Sequence, residues 1–192
     1  MDVQLREYRP GDEKGVIEVF KDANNPRRIS RGGIYPDEKI DRIQSWSDEK
    51  IKSFVIDGNF LFVVEINETN EIIGTGGIST GPSNFLLKST HSRSHYVKEN
   101  YQKKKTGLSF GKMLRQATIS KAASFGFRKI FGYSAQNVIG FHKKFGAKTY
   151  PKYNKKSPFS STVELQYYEI ELYHSIWNKF RIEPYIHRIS GY

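Results

Sequence analysis

Apolar residues recur along this chain with two periods, one near two and one near three and a half, and the switches between them mark its elements. Val3, Leu5 and Tyr8 open with strand-like spacing, and RPGD follows as a turn that leaves Asp12 as N-cap of a helix carrying Val16, Ile17 and Phe20. NNPRRISRGG is polar, basic and rich in turn formers, which predicts a loop; after Pro36, Ile40 and Ile43 return to helical spacing, and Ile51 with Phe54 extends it toward Asp57 and Gly58. NFLFVVEI and EIIGTGGI are β-rich runs separated by NETN, the pattern of an antiparallel hairpin with a four-residue connection. Pro82 to Lys88 reads as a loose segment, a strand ends at Val97, and a helix follows with Phe110, Met113, Leu114 and Ala117 on one face and Gly126 as its left-handed stop. RKIFGY is the next strand, and a strand, helix and strand of this length return parallel with a right-handed crossover. A short helix from about Asn137 to Phe145 stops at Gly146, and TVELQYYEIEL closes the regular part as a long strand. The expectation is one mixed α+β domain over residues 1–172, with 173–192 as an extension whose Ile176, Trp177, Phe180 and Ile182 pack on the domain or a partner.

Composition narrows the chemistry. A chain of 192 residues can bury about 70% of its unfolded surface and needs no covalent staples to fold. It has no cysteine, which removes disulfides, thiolate metal sites and cysteine nucleophiles together. No apolar run reads as a signal peptide or membrane span, so the expectation is a soluble, cytoplasmic protein with no membrane partner. The formal charge of +11 and pI near 9.7 favour anionic ligands: nucleic acid, an anionic surface or a charged small molecule.

The densest charge stands beside the smallest residues, in YQKKKTGLSFGKML. The first amides of a helix lack internal partners and carry the positive end of the dipole, so a helix beginning near Gly107 offers N–H groups to an anion. Gly107, Ser109 and Gly111 let a pyrophosphate approach the backbone, and Lys103, Lys104 and Lys105 add charge at the rim.

Four stretches, in order, resemble the GNAT superfamily of acyl-CoA-dependent N-acetyltransferases. LREYRPGDEKGVIEVF is similar to the family's first strand and helix, and FLFVVEINETNEIIGTGGI to its second and third strands. YVKENYQKKKTGLSFGKML resembles its fourth strand and cofactor loop, and FHKKFGAK the end of its fourth helix. The resemblance spans about residues 3–172. It implies a mostly antiparallel mixed sheet with a central parallel strand pair flanked by helices, and direct transfer of an acetyl or other acyl group from acyl-CoA to an amine. The cofactor pattern fits in two registers. One runs from Gln102 with Lys105 at the first glycine; the other, favoured here, runs from Thr106 with Ser109 there and about four extra loop residues. Both place acetyl-CoA, or another acyl-CoA, on Lys105, Thr106, Gly107, Leu108, Ser109, Phe110, Gly111 and Lys112, with the Val97 region supplying the N–H for the thioester carbonyl.

The resemblance also implies proton-handling groups. The family's frequent tyrosine acid falls on His142, whose ordinary pKa suits proton transfer; the alternative is an exposed helical side chain. Tyr133 is a second donor candidate, with core packing as its other reading. His95, on the strand that often supplies a base, is the base candidate, with a solvent-facing strand residue as its alternative. Ala147 stands for the usual Phe and Ala135 for a common Asn. The acceptor is expected to be a small-molecule or protein amine, nucleic acid is not expected as partner, and a homodimer through the tail is plausible. Two other readings stay open: a nucleic-acid-binding protein using the basic loop, and a CoA-binding domain without turnover.

Overall fold

The structure is a computed structural model that describes residues 1–24, 45–102, 106–134, 136, 138–157 and 160–172. The basic loop after Asn24, the helix expected after Pro36, Lys103 to Lys105, Ala135, Asn137 and the tail from His174 lie outside the described residues. The described elements are β1 (Val3–Glu7), α1 (Glu13–Ala23), α2 (Asp48–Val55), β2 (Asn59–Ile66), β3 (Glu71–Ser79), α3 (Pro82–Leu86), β4 (Ser89–Val97), α4 (Phe110–Ser124), β5 (Lys129–Ser134), α5 (Ile139–Lys143), β6 (Lys148–Thr149), β7 (Lys155–Ser157) and β8 (Ser160–Glu171).

The strands form one sheet in the order β1-β2-β3-β4-β5-β8-β6, with β7 on β8. Every described pairing is antiparallel except β4 with β5. The expected hairpin is present, Asn67 to Asn70 connecting β2 to β3, and Asn70 takes the left-handed φ of 55° that the turn needs.

Alternation along the strands sorts the core into two layers. Leu61, Val63 and Ile72 meet Val16, Val19 and Phe20 of α1 and Ile51 and Val55 of α2 on one face. Val64, Ile66 and Ile73 meet Phe110 and Leu114 of α4 on the other, where Ile119 and Ala122 also pack on Ile130 and Ile170. Burial on both faces explains why β2 and β3 read as nearly continuous apolar runs.

Local chemistry departs from the sequence reading in several places. Asp12 occupies the N-cap of α1 without capping it; its carboxylate is held by both terminal nitrogens of Arg6 and by the Arg9 amide. The segment expected to be loose contains α3, entered by Gly81 with Pro82 in the first turn. It buries none of its residues, so it leaves no periodic signal. Helix α4 starts at Phe110 rather than near Gly107, because Gly107 has a φ of 73°. Gly126 and Gly146, both at φ 80°, follow α4 and α5 as left-handed stops.

Glycines in β3 mark close approach. A Cβ on Gly77 would fall inside the Phe60 carbonyl oxygen of β2. A backbone atom cannot step aside, so Gly77→Ala is expected to cost about 3 kcal/mol, at the upper end for overpacking. A lowered urea midpoint at unchanged m-value would register it, and an unchanged midpoint would refute it.

Candidate functional site

The site begins where β4 and β5 part. Their parallel pairing runs Ser89 with Lys129, Thr90 with Ile130 and His91 with Phe131, and stops there. Beyond that point β4 stays on β3 to Val97 while β5 stays on β8 to Ser134, so the two strands open a wedge toward their C-terminal ends. Lys98 donates its N–H to the Ile73 carbonyl at 2.8 Å. The Val97 amide, one residue earlier, therefore turns away from β3 and toward the wedge.

A bulge decides which β4 side chains face which layer. Thr75 pairs with Tyr96 and Gly77 with Arg93, so two steps on β3 span three on β4, and Ser94 absorbs the extra residue with a φ of 53°. Ser92, His95 and Val97 thereby face α4, whereas Arg93 and Tyr96 face the opposite layer.

At the mouth of the wedge lies the loop into α4. The Thr106 hydroxyl accepts from the Leu108 amide at 3.2 Å, which folds the loop back at Gly107. Lys112 and Met113 both donate to the Ser109 carbonyl. The amides of Ser109, Phe110 and Gly111 precede those bonds and have no acceptor among the described residues. Phe110 is buried against the α4 layer and Lys112 is exposed. A Cβ on Gly107 or Gly140 would meet nothing within 4 Å, and one on Gly111 only Phe141 at 3.9 Å. Gly111 thus serves no packing need. That combination suits a pyrophosphate lying on the first turn of α4, with Val97 N–H deeper in the wedge.

On the α4 side the wedge ends in a buried polar cluster. The Thr118 hydroxyl donates to the Leu114 carbonyl at 2.7 Å, so it accepts at 3.2 Å from His95 Nε2–H. His95 Nδ1 is then left to accept from Ser92 Oγ at 3.3 Å, and Ser92 Oγ accepts from Arg115 Nη1 at 2.6 Å. This chain fixes the tautomer of a neutral His95. Gly76 makes room for the ring: a Cβ there would sit 2.7 Å from its Cδ2. Arg115 is fully buried, and its other contact is donation from Nη2 to the Tyr168 hydroxyl at 3.0 Å. It has no carboxylate partner among the described residues, and its Nε is unsatisfied. His142 of α5 stacks on Tyr168 at 4.3 Å with its Nδ1 buried and unpartnered. Burial and then the Arg115 charge push His142 down to about 3. The same causes in the same order, with a further contribution from His142, push His95 well below its ordinary value.

The opposite layer carries different chemistry. Tyr133 faces it, edge-on to Tyr167 at 5.3 Å, with Lys155 Nζ 3.7 Å above its ring. His91 stacks on Phe131 at 5.2 Å and stands 6.1 Å from Tyr133. Burial, then Arg93 and Lys155, lower its pKa to about 4.

The structure therefore brings His95 and His142 together on the α4 side and sets Tyr133 on the other. The loop residues Thr106 to Lys112 converge at the wedge mouth with Val97, and Lys105 lies outside the described residues. Sequence reasoning missed Arg115, Tyr168, His91 and Arg93. Arg115 gave one usable signal, a charged residue at an apolar position of the α4 stripe. Among the described residues no three of His, Asp and Glu gather as a metal site, and no helix is long and apolar enough to cross a membrane.

No protein-family model matches the sequence, and no curated protein does. Solved structures do match the fold. An acetyltransferase of the GNAT family from Staphylococcus aureus superposes with a TM-score of 0.56 at 14% identity, covering 89% of this chain and 99% of that one. An N-acetyltransferase from the same organism gives 0.60 at 19% identity over 90% and 100%. The PaiA N-acetyltransferase of Thermoplasma acidophilum, solved with coenzyme A, gives 0.58 at 18% identity over 89% and 99%.

Proposed function

Starting from a chain with the GNAT fold, we propose that it is an N-acyltransferase moving an acetyl or other acyl group from acyl-CoA to an amine by direct attack. The observation that carries this reading is the wedge itself: an amide at Val97 turned into it and a helix N-terminus with open amides and small residues at its mouth.

In this reading the amides of Ser109, Phe110 and Gly111 hold the pyrophosphate, with Thr106, Gly107 and Leu108 shaping the loop and Lys105 and Lys112 adding charge. When bound, acyl-CoA supplies an activated thioester carbonyl and a thiol leaving group. The Val97 N–H is positioned to polarise a carbonyl in the wedge, where exclusion of water strengthens the hydrogen bond. Arg115, buried without a carboxylate, lays positive potential at the closed end and favours negative charge forming there. His95 positions Ser92, and through it Arg115, rather than exchanging protons. His142 is held neutral at physiological pH by burial and the Arg115 charge, so its ring nitrogens serve as hydrogen-bonding groups beside the Tyr168 hydroxyl rather than as a charged acid, while Tyr133 serves the acceptor side.

A thiol-release assay with acetyl-CoA and a panel of amines tests the reading: amine-dependent release supports it, and CoA binding without release across the panel contradicts it. His142→Phe preserves the stack on Tyr168 and removes the ring nitrogens. It is expected to lower kcat by about 10- to 100-fold with acetyl-CoA affinity little changed. Equal rates would take His142 out of the chemistry.

A further inference from the structure

The face of the wedge away from α4 holds two cations without counter-ions. Arg93 donates from Nε to Ser79 Oγ at 3.1 Å, and Lys155 rests its ammonium on the Tyr133 ring; neither meets a carboxylate among the described residues. Apart from the fully buried Arg115 on the other face, the described half-buried cations elsewhere meet carboxylates. Arg6 sits on Asp12 and Glu65, Lys98 on Glu71 and Glu18, and Lys129 on Glu169. The β8 carboxylates on this face are already engaged, Glu169 by Lys129 and the Tyr167 hydroxyl and Glu171 by Lys148.

The arrangement runs against simple electrostatics. Burial lowers the pKa of Arg93; burial, then the charge of Arg93, lowers that of Lys155. His91 adds no compensating charge, since its ring is neutral at physiological pH. Arg93 is half-buried and Lys155 exposed beside it, and two cations facing each other with no carboxylate gain most from an anion that arrives from solution.

Around them the walls are aromatic and mutually braced. Tyr167 lies edge-on to Tyr133 at 5.3 Å and to Tyr153 at 5.4 Å. Such rings present a large apolar surface and lose little entropy when a ligand covers them. Position supplies the third element: Arg93 stands two residues beyond His91, the last β4 residue paired to β5, at the start of the wedge.

We propose that the acceptor is an amino acid: its carboxylate binds Arg93 and Lys155, its side chain lies on Tyr133, Tyr153 and Tyr167, and its amine reaches into the wedge. This rests on the acyl-transfer reading above. An α-amino acid carries amine and carboxylate on one carbon, which matches an anion site directly beside the wedge. Polyamines, which have no anion, are poor acceptors.

The test separates this site from the cofactor. Calorimetry without CoA compares N-acetylphenylalanine with its carboxamide, and inorganic phosphate serves as a control anion. The acid is expected to bind about tenfold or more tightly than the amide, and Arg93→Gln to erase that difference with an unchanged unfolding midpoint. Arg93→Lys is expected to restore part of it. Equal binding of acid and amide, retention of the preference in Arg93→Gln, or tighter binding of phosphate than of the acid would each overturn the assignment. In turnover, phenylalanine is expected to exceed phenethylamine and spermidine in kcat/KM, with KM for phenylalanine raised about tenfold or more in Arg93→Gln. Turnover that favours the amines without a carboxylate would overturn the proposal while leaving acyl transfer intact. Failure of acetyl-CoA to bind would overturn acyl transfer while leaving the carboxylate measurement to be read alone.

Discussion

Gly111→Arg is expected to abolish acetyl-CoA binding and leave the fold standing. The position lies in the first turn of α4, and the nearest atom to an added Cβ is Phe141 Cζ at 3.9 Å, so a side chain enters open space. Replacing glycine in a helix gains up to about 1 kcal/mol of propensity, against a few tenths lost by placing a cation at the positive end of the dipole. The same side chain stands in front of the Ser109, Phe110 and Gly111 amides. An affinity loss of about 100-fold or more in calorimetry, with an unfolding free energy within about 1 kcal/mol of the parent, is the expected result. Unchanged affinity would mean that the open amides do not hold the cofactor.

The second large effect is acid sensitivity that begins unusually early. His91, His95 and His142 all have folded-state pKa values below the ordinary 6.5, about 4 for His91 and about 3 for His142, with burial the leading cause at each. The sign follows directly. Below 6.5 the unfolded chain takes up protons that the folded chain refuses, so stability is complete above that pH and is lost as pH falls. At pH 5 each such group contributes a loss of at most about 2 kcal/mol. With partial solvent access at His91, the sum is on the order of 4 kcal/mol between pH 7 and pH 5. A separate, lower window belongs to the carboxylates. The Arg6 hydrogen bond outweighs the opposing burial of Glu65, and at Asp12 burial is overcome by Arg6 and the Arg9 amide. Both groups are held below their ordinary values, so their contribution fades only as pH drops below about 4. Urea unfolding at pH 7, 6 and 5 reads the histidine window, and His91→Gln should flatten part of it. Equal stability at pH 7 and 5 would show that the rings are hydrated.

Much of the fold was legible because its signals are local. NETN between two β-rich runs gave the hairpin, Gly126 and Gly146 gave helix ends, and the strand, helix and strand order gave the parallel pair. Helix α3 was missed because a five-residue helix with no buried residue has no periodicity to read. Strands β6 and β7 were missed because two and three residues carry no alternation. The loop residues of the candidate site stood out for the same local reason: small residues before an amphipathic helix have a physical meaning wherever they occur.

The rest of the site depends on events that a sequence does not print. The Ser94 bulge turns His95 toward α4, and a strand read by plain alternation gives no hint of it. The buried cluster joins Ser92, Arg115, His142 and Tyr168 from four separate elements. In the sequence, Arg115 shows only as a charge on the amphipathic helix, with no sign of its partners, and Tyr168 reads as strand core. Their relation becomes visible only when the wedge brings β4, β8, α4 and α5 to one place.

Calorimetric titration with acetyl-CoA, at low and raised salt and beside a short oligonucleotide, tests the central claim most directly. Acetyl-CoA is predicted to saturate one site with a Kd in the range of about 1 to 100 μM, and the oligonucleotide to bind weakly and release with salt. Absence of acetyl-CoA binding together with strong, salt-steep oligonucleotide binding would contradict it, and would assign the basic loop to the phosphates of nucleic acid.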